Sequence, residues 1–347
     1  INDDGVFRIN IEAHGSSALP PFYYEGWYLF LLVLGVVSIF SSSWSFVDYI
    51  ERYVIKGFEK TKNNIDILRS IIDKEVAAPA GKQLLLSTDP FRDYNKLVLH
   101  FRPFEPATKF VSDSAQIGEG TVLQPGVFVG NHVVIGKNCI IHSNVSIYDR
   151  SVIGDNVVIH ANTVIGADGL YFKRRPGMLD KMHSCGRAVI ESNVEIKSFC
   201  HIEGAKIQKN AVIGPFARLR PDTEIQENVH IGNFVEIKKS QIAKNSKINH
   251  LSYIGDSEIG ENTNIGAGTI VCNYDGVMKH KTQIGAGAFI GSNSTLVAPV
   301  VVGDDSYVAA GSVITHEVPT DALAFGRAHQ TLKHGWVSNR RAKHLKK

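Results

Sequence analysis

Cysteine is scarce and unpatterned: Cys139, Cys185, Cys200 and Cys272 are the only four in 347 residues, and none falls in a CxxC pair. Neither a zinc knuckle nor a disulfide framework can be built from them, and no metal is expected; a reducing compartment fits. An excess of one charge sign is also lacking. The 37 Lys and Arg stand against 34 Asp and Glu, and much of the surplus falls at the end, where Lys333, Arg340, Arg341, Lys343, Lys346 and Lys347 cluster. Charge therefore gives no argument for a nucleic-acid partner. Only three methionines occur and the first residue is Ile1, so the chain reads as a fragment or a processed product. What is present in quantity is apolar, 44% against 20% charged, which excludes disorder throughout.

Residues 1–25 carry no assigned role. From Gly26 to Val47 no charged residue occurs, and a helix of that length spans roughly 33 Å, enough for a hydrocarbon core of about 30 Å. Residues 26–47 are predicted to be a transmembrane helix, with a buried helix as the alternative. Arg52, Lys56, Lys60 and Lys62 follow it and only Arg8 precedes it, which predicts a cytoplasmic C-terminal bulk anchored to the inner membrane. Val54, Phe58, Thr61, Ile65, Leu68 and Ile72 then alternate spacings of four and three, predicting an amphipathic helix over 48–76. A connector is expected over 77–105, opening at Ala77-Ala-Pro-Ala-Gly81.

An aliphatic residue then returns every six positions: Val111, Ile117, Leu123, Val129, Ile135, Ile141, Ile147, Ile153, Ile159 and Ile165. The period resumes at Ile190, runs to Ile265 with three steps of five, and returns from Ile284 to Ile314. Six suits a chain that turns a corner after each short strand and points one aliphatic side chain inward per turn. Gly, Asn and Asp between the hits tolerate positive φ. The expected fold is all-β, a parallel β-helix over 106–320 with a basic tail over 321–347.

This hexapeptide signature resembles the left-handed β-helix acyltransferases. The resemblance implies a left-handed, trimeric prism with active sites in clefts between neighbouring copies. A regular prism offers no pocket, so the two interruptions, 167–187 and 272–283, are where loops should leave it. Beside the second, Arg218, Arg220, Lys238, Lys239, His250, Tyr253 and Asn264 crowd successive coils. Arg and Lys suit a phosphate, and a neutral imidazole suits removal of an amine proton.

The strings Gly214-Pro-Phe-Ala-Arg-Leu-Arg-Pro221, Gly232-Asn-Phe-Val-Glu-Ile-Lys-Lys239, His250-Leu-Ser-Tyr-Ile-Gly-Asp256, Asn264-Ile-Gly-Ala-Gly-Thr269 and Cys272-Asn-Tyr-Asp-Gly276 are longer than a repeat. From about Ile213 onward the chain is similar to the C-terminal acetyltransferase domain of the bifunctional bacterial enzyme that makes UDP-N-acetylglucosamine. That resemblance implies acetyl transfer from acetyl-CoA to the amine of glucosamine 1-phosphate, with His250 as general base. It implies Arg220, Lys238, Tyr253, Asn264 and Lys279 on the sugar phosphate, and Ala267, Asn273, Tyr274, Ser292, Ala310 and Arg327 on the coenzyme. The family's uridylyltransferase domain has no counterpart in residues 1–110, so uridylyl transfer is not expected. Residues 83–203, with Ser87-Thr-Asp-Pro-Phe-Arg-Asp-Tyr94, Ile141-His-Ser-Asn-Val-Ser-Ile-Tyr148 and Ile159-His-Ala-Asn-Thr-Val-Ile-Gly-Ala-Asp-Gly169, resemble instead the UDP-3-O-acylglucosamine N-acyltransferases of lipid A synthesis. The alternatives are therefore that acyltransferase activity, or a membrane-tethered scaffold without catalysis.

Overall fold

The computed structural model describes residues 82–344 and, before them, only the strands Phe7–Arg8, Leu34–Val36 and Leu68–Ile72. From Val111 the chain winds as a solenoid whose strands, mostly two residues long, fall in turn on three parallel sheets. Face one runs from Gln116–Ile117 to Val300–Val302, face two from Val122–Leu123 to Leu323–Ala324, and face three from Phe128–Val129 to Val313–Ile314. They hold ten, eleven and ten strands, so the prism is about 50 Å long at about 4.8 Å per rung.

The six-residue period is the cross-section of this prism. In most of the two-residue strands the second residue points inward, and Ile141, Ile147, Ile159, Ile165, Ile196, Ile202 and Ile213 are wholly buried. Register stacks aliphatic on aliphatic along face three: Ile147 on Ile165, Ile165 on Ile202, Ile202 on Leu219, Leu219 on Ile237. Each such burial stabilises by roughly 1.5–3 kcal/mol. Corners recur at the same period, because Asn138, Asn144, Asn156 and Asn162 all sit at φ between 54 and 63°, a region Asn enters more readily than β-branched residues. Further along, Asn210, Asn228, Asn245 and Asn262 chain their side-chain amides from coil to coil at 3.1–3.2 Å.

The register does not break where the two sequence resemblances meet. His201 pairs with Val164 on one side and with Arg218 on the other, so both halves share one axis. The prism also outruns its expected end: Leu323–Ala324 adds a last strand to Tyr307–Val308, and within the tail Trp336–His344 is helical.

The N-terminal expectations need correcting. Of the stretch 26–47, predicted to be a transmembrane helix, only Leu34–Val36 lies among the described residues, and it is a strand paired with Leu68–Ile72. Among the described residues no helix is long and apolar enough to cross a membrane. Leu68–Ile72 in turn pairs with Lys82–Leu86, so the amphipathic helix expected over 48–76 does not run through its last turn; parallel pairing outweighs helical spacing there. Residues 77–105 are more than a connector, since they hold helix α1, Pro90–Phe101. Asp89 caps it, Pro90 opens it, and Phe91, Tyr94, Asn95 and Val98 form its buried stripe.

Helix α1 packs on the first loop, which leaves the prism as an antiparallel hairpin of Phe172–Arg175 and Met178–Lys181. Tyr94 Oη donates to Cys185 Sγ at 3.0 Å, and Asn95 brackets the loop backbone at Lys181 O and His183 N, 2.7 and 3.0 Å away. Arg175 joins Asp89 and Asp180 at 2.8 and 3.1 Å. This loop therefore serves as the dock for α1.

Candidate active site

The corner between faces two and three carries one residue per coil in a straight column. Backbone hydrogen bonds fix the order: Leu251 N donates to Asn233 O, Gly268 N to His250 O, Asn293 N to Ala267 O and Gly311 N to Ser292 O. Asn233, His250, Ala267, Ser292 and Ala310 thus stand one above the other. His250 is exposed at the end of strand Lys247–His250. Above it the side chains shrink to Ala, Ser and Ala, which leaves a shallow track along the corner.

His250 is oriented from below. Its Nδ1 lies 2.6 Å from Asn233 Oδ1, the residue it pairs with in register. An amide oxygen only accepts, so Nδ1 carries a proton, and in the neutral ring it is Nε2 that holds the lone pair. Asn233 was not among the residues singled out from sequence. The signal was there, because it precedes His250 by one coil of seventeen residues and so must share its column. Asn233→Ala should lower kcat roughly 10-fold through loss of one orienting hydrogen bond, with little change in either KM, as read by steady-state kinetics.

Around the corner, face three holds a basic group. Arg220, Lys238 and Gly255 are successive rungs at its far edge: Arg220 N bonds Ile237 O, and Lys238 pairs with Gly255. Arg220 is steered by Glu236, its Nη1 3.0 Å from Oε1. Its Nε is buried and, among the described residues, has no hydrogen-bond partner. Burial, with the Lys279 ammonium alongside, pushes Lys238 down to about 8. Beneath them burial pushes the Asp222 carboxyl up to about 6, against the pull of Lys239 and Lys238. Two crowded ammoniums and a guanidinium suit a doubly charged oxyanion.

Tyr253 opens the face-three strand that follows the His250 corner, between the imidazole and this basic edge. Gly255 makes room for its ring: a Cβ there would lie 2.6 Å from Tyr253 Oη and from Asn273 Nδ2. Asn273 is buried and donates to Asp256 Oδ2 at 2.5 Å, with Tyr253 Oη 3.5 Å away, so its side chain braces Tyr253 from within. Tyr274 stands 57% exposed on the second loop. Arg327 reaches the top of the column, where a Cβ on Gly311 would lie 3.7 Å from its Cδ. Asn264 is the outlier: it sits on face two, between Lys247 and Phe289, on the other side of the corner from Arg220 and Lys238. One prism thus gathers His250, Tyr253, Arg220, Lys238 and Lys279 on one flank, and presents Asn264 on another. Among the described residues no cluster of three or more His, Cys, Asp or Glu could hold a metal ion.

Comparison with known proteins identifies the repeat. Residues 132–167 and 281–316 match the bacterial transferase hexapeptide (six repeats), and residues 201–278 match the GMPPB C-terminal domain. The prism is a run of hexapeptide repeats. The chain is 62% identical over 138 residues to the bifunctional protein GlmU of Rhizobium rhizogenes, covering 40% of this chain and 30% of that protein. It is 58% identical over 163 residues to GlmU of Zymomonas mobilis, covering 47% and 36%. The matched stretch is about a third of the length of these curated relatives. Among solved structures, a perosamine N-acetyltransferase from Caulobacter crescentus in complex with CoA and GDP-perosamine is 25% identical, covering 33% of this chain and 53% of that chain, at a TM-score of 0.30.

Proposed function

We propose that this chain is a glucosamine-1-phosphate N-acetyltransferase, using acetyl-CoA and working as a homotrimer of left-handed prisms. The observation that carries the reading is the column that ends on His250: an exposed imidazole with one free nitrogen, a track of small residues above it and a phosphate-sized basic cluster beside it. High identity to GlmU over the same region supports it. Acetyl-CoA lies along the track with its phosphates toward Arg327 and its thioester near His250. The sugar phosphate rests on Arg220, Lys238 and Lys279, with its ring against Tyr253. His250 Nε2 takes a proton from the neutral substrate amine as the nitrogen attacks the thioester carbonyl. The C–S bond then breaks, and the proton leaves with the thiolate as coenzyme A.

A convex corner cannot enclose a substrate alone, so a second prism completes the cleft, and Asn264 of that neighbour faces the substrate. The test is an acetyl-CoA assay with glucosamine 1-phosphate on protein of measured oligomeric state. Release of free thiol by a three-copy assembly supports the reading; a monodisperse trimer that releases none refutes it. The same assay run with acyl-carrier-protein thioesters separates acetyl transfer from transfer of a long acyl chain.

Lys238 sets an alkaline limit. Its depressed ammonium is held at pH 7 and lost as pH rises through about 8, and a neutral amine no longer attracts phosphate. KM for glucosamine 1-phosphate should therefore climb above pH 8, by up to about 10-fold per unit, while KM for acetyl-CoA stays level. Lys238→Arg, which keeps its charge, should flatten the climb.

A further inference from the structure

The second loop contains a hydrogen-bonded His–Asp pair that the reaction does not use directly. His280 Nε2 lies 2.6 Å from Asp275 Oδ2, while Asp275 Oδ1 accepts from Val277 N and Met278 N at 2.7 and 2.6 Å. The bond to His280, then those two amides, hold the Asp275 carboxyl well below the ordinary carboxylate range. It is therefore ionised and only accepts, so His280 is the donor. Asp275 N also bonds Met278 O, His280 N bonds Asn273 O, and Tyr274 pairs with Lys279 across the neck. The carboxylate thus organises the tip while the imidazole closes the loop onto its own base. The residues at the neck are Tyr274 and Lys279, and the Lys279 ammonium lies against Lys238.

We propose that His280, clamped by Asp275, is a positioning residue that fixes Lys279 beside Lys238 and so sets the affinity of the site for the phosphate of the sugar. A lysine on a nine-residue loop, 273–281, has many rotamers to restrict. Two like charges brought together repel, so Lys279 stays beside Lys238 only if something holds it there. The closed neck does so from outside the substrate site. The His280 side chain is bonded to Asp275 within the loop, which distinguishes its role from that of the exposed His250. Asp275 cannot substitute for it, because its second oxygen is committed to the tip.

The inference rests on the proposed acetyltransferase reading, and its test separates the two. His280→Ala should raise KM for glucosamine 1-phosphate about 10-fold, with kcat at saturation within about 2-fold. His280→Gln, which keeps a donor at similar reach, should recover most of the loss. Because His280 acts through Lys279, the double variant Lys279→Ala/His280→Ala should be no worse than Lys279→Ala alone. An unchanged KM for His280→Ala, or independent losses in the double variant, overturns the proposal. A readout free of catalysis runs in parallel: amide hydrogen exchange over residues 273–281 should quicken in His280→Ala. If the wild-type protein acetylates nothing, the functional reading fails; if loop exchange is unchanged, the clamp fails whatever the activity.

Discussion

His250→Ala is expected to lower kcat by about 10²- to 10⁴-fold and to leave the fold untouched. The size follows from the role: the amine must lose a proton as it attacks, and on this corner the imidazole is the exposed group with a free lone pair. The nearest alternatives cannot take its place. Asn233 is an amide, Tyr253 stands a corner away, and Lys238 and Lys279 are committed to the phosphate. The fold is insensitive because His250 is exposed and its ring is joined to the prism by one hydrogen bond to Asn233; no core volume is lost. Near-wild-type Tm and unchanged oligomeric state, with coenzyme binding intact by calorimetry, should accompany the loss. His250→Asn makes a useful second variant, since it keeps a polar side chain at the corner but has no basic nitrogen. A loss of less than 10-fold in both variants would remove His250 from the chemistry.

The prism was legible in the sequence to an unusual degree because its core is one-dimensional. Each rung buries one aliphatic side chain, so a period of six residues maps directly to a cross-section with three faces. The five-residue steps at Ile207, Ile242 and Ile259 mark coils one residue shorter. The same arithmetic brings Arg220 and Lys238 to one edge of face three and could have brought Asn233 under His250. What the period could not convey is which flank of a corner a residue occupies. Asn264 shares the crowded stretch of sequence with Tyr253 yet lies on the neighbouring face, since the chain has turned two corners between them. Loops are opaque for a different reason: the Asp275–His280 pair depends on backbone direction inside the second interruption, which no repeat constrains. The segment before the prism was misread where parallel pairing with Lys82–Leu86 competes with helical spacing around Leu68–Ile72. Helix α1 was missed because its stripe spans only three turns and packs on a loop that itself breaks the period.

Arg218→Ala should cost about 3 kcal/mol, a fall in Tm of about 10 °C, while leaving the chemistry of surviving enzyme nearly normal. The reason lies in Glu203, whose side chain is fully buried. Arg218 Nε and Nη2 both bond its Oε1, at 3.0 and 2.6 Å. Oε2 has no partner among the described residues, and Gly169 of the first loop covers it, a Cβ there falling 3.3 Å away. Removing the guanidinium leaves a buried carboxylate whose remaining basic neighbour is His201, its Nε2 3.8 Å from Oε1 and its protonation disfavoured by burial. The estimate takes the low end of the range for a broken buried pair because Arg218 itself is 31% exposed. Removing both charges should be milder: Arg218→Met/Glu203→Leu replaces the pair with apolar volume and should recover most of the lost stability. The site lies where the two sequence resemblances join, on the rung directly below Glu236, which steers Arg220. A stability defect confined to the join would leave KM for the sugar phosphate within about 2-fold at low temperature, whereas a defect relayed through Glu236 would raise it. Thermal melts and KM measured on the single and double variants distinguish these outcomes, and a single variant as stable as the parent would show that Glu203 is stabilised by something other than Arg218.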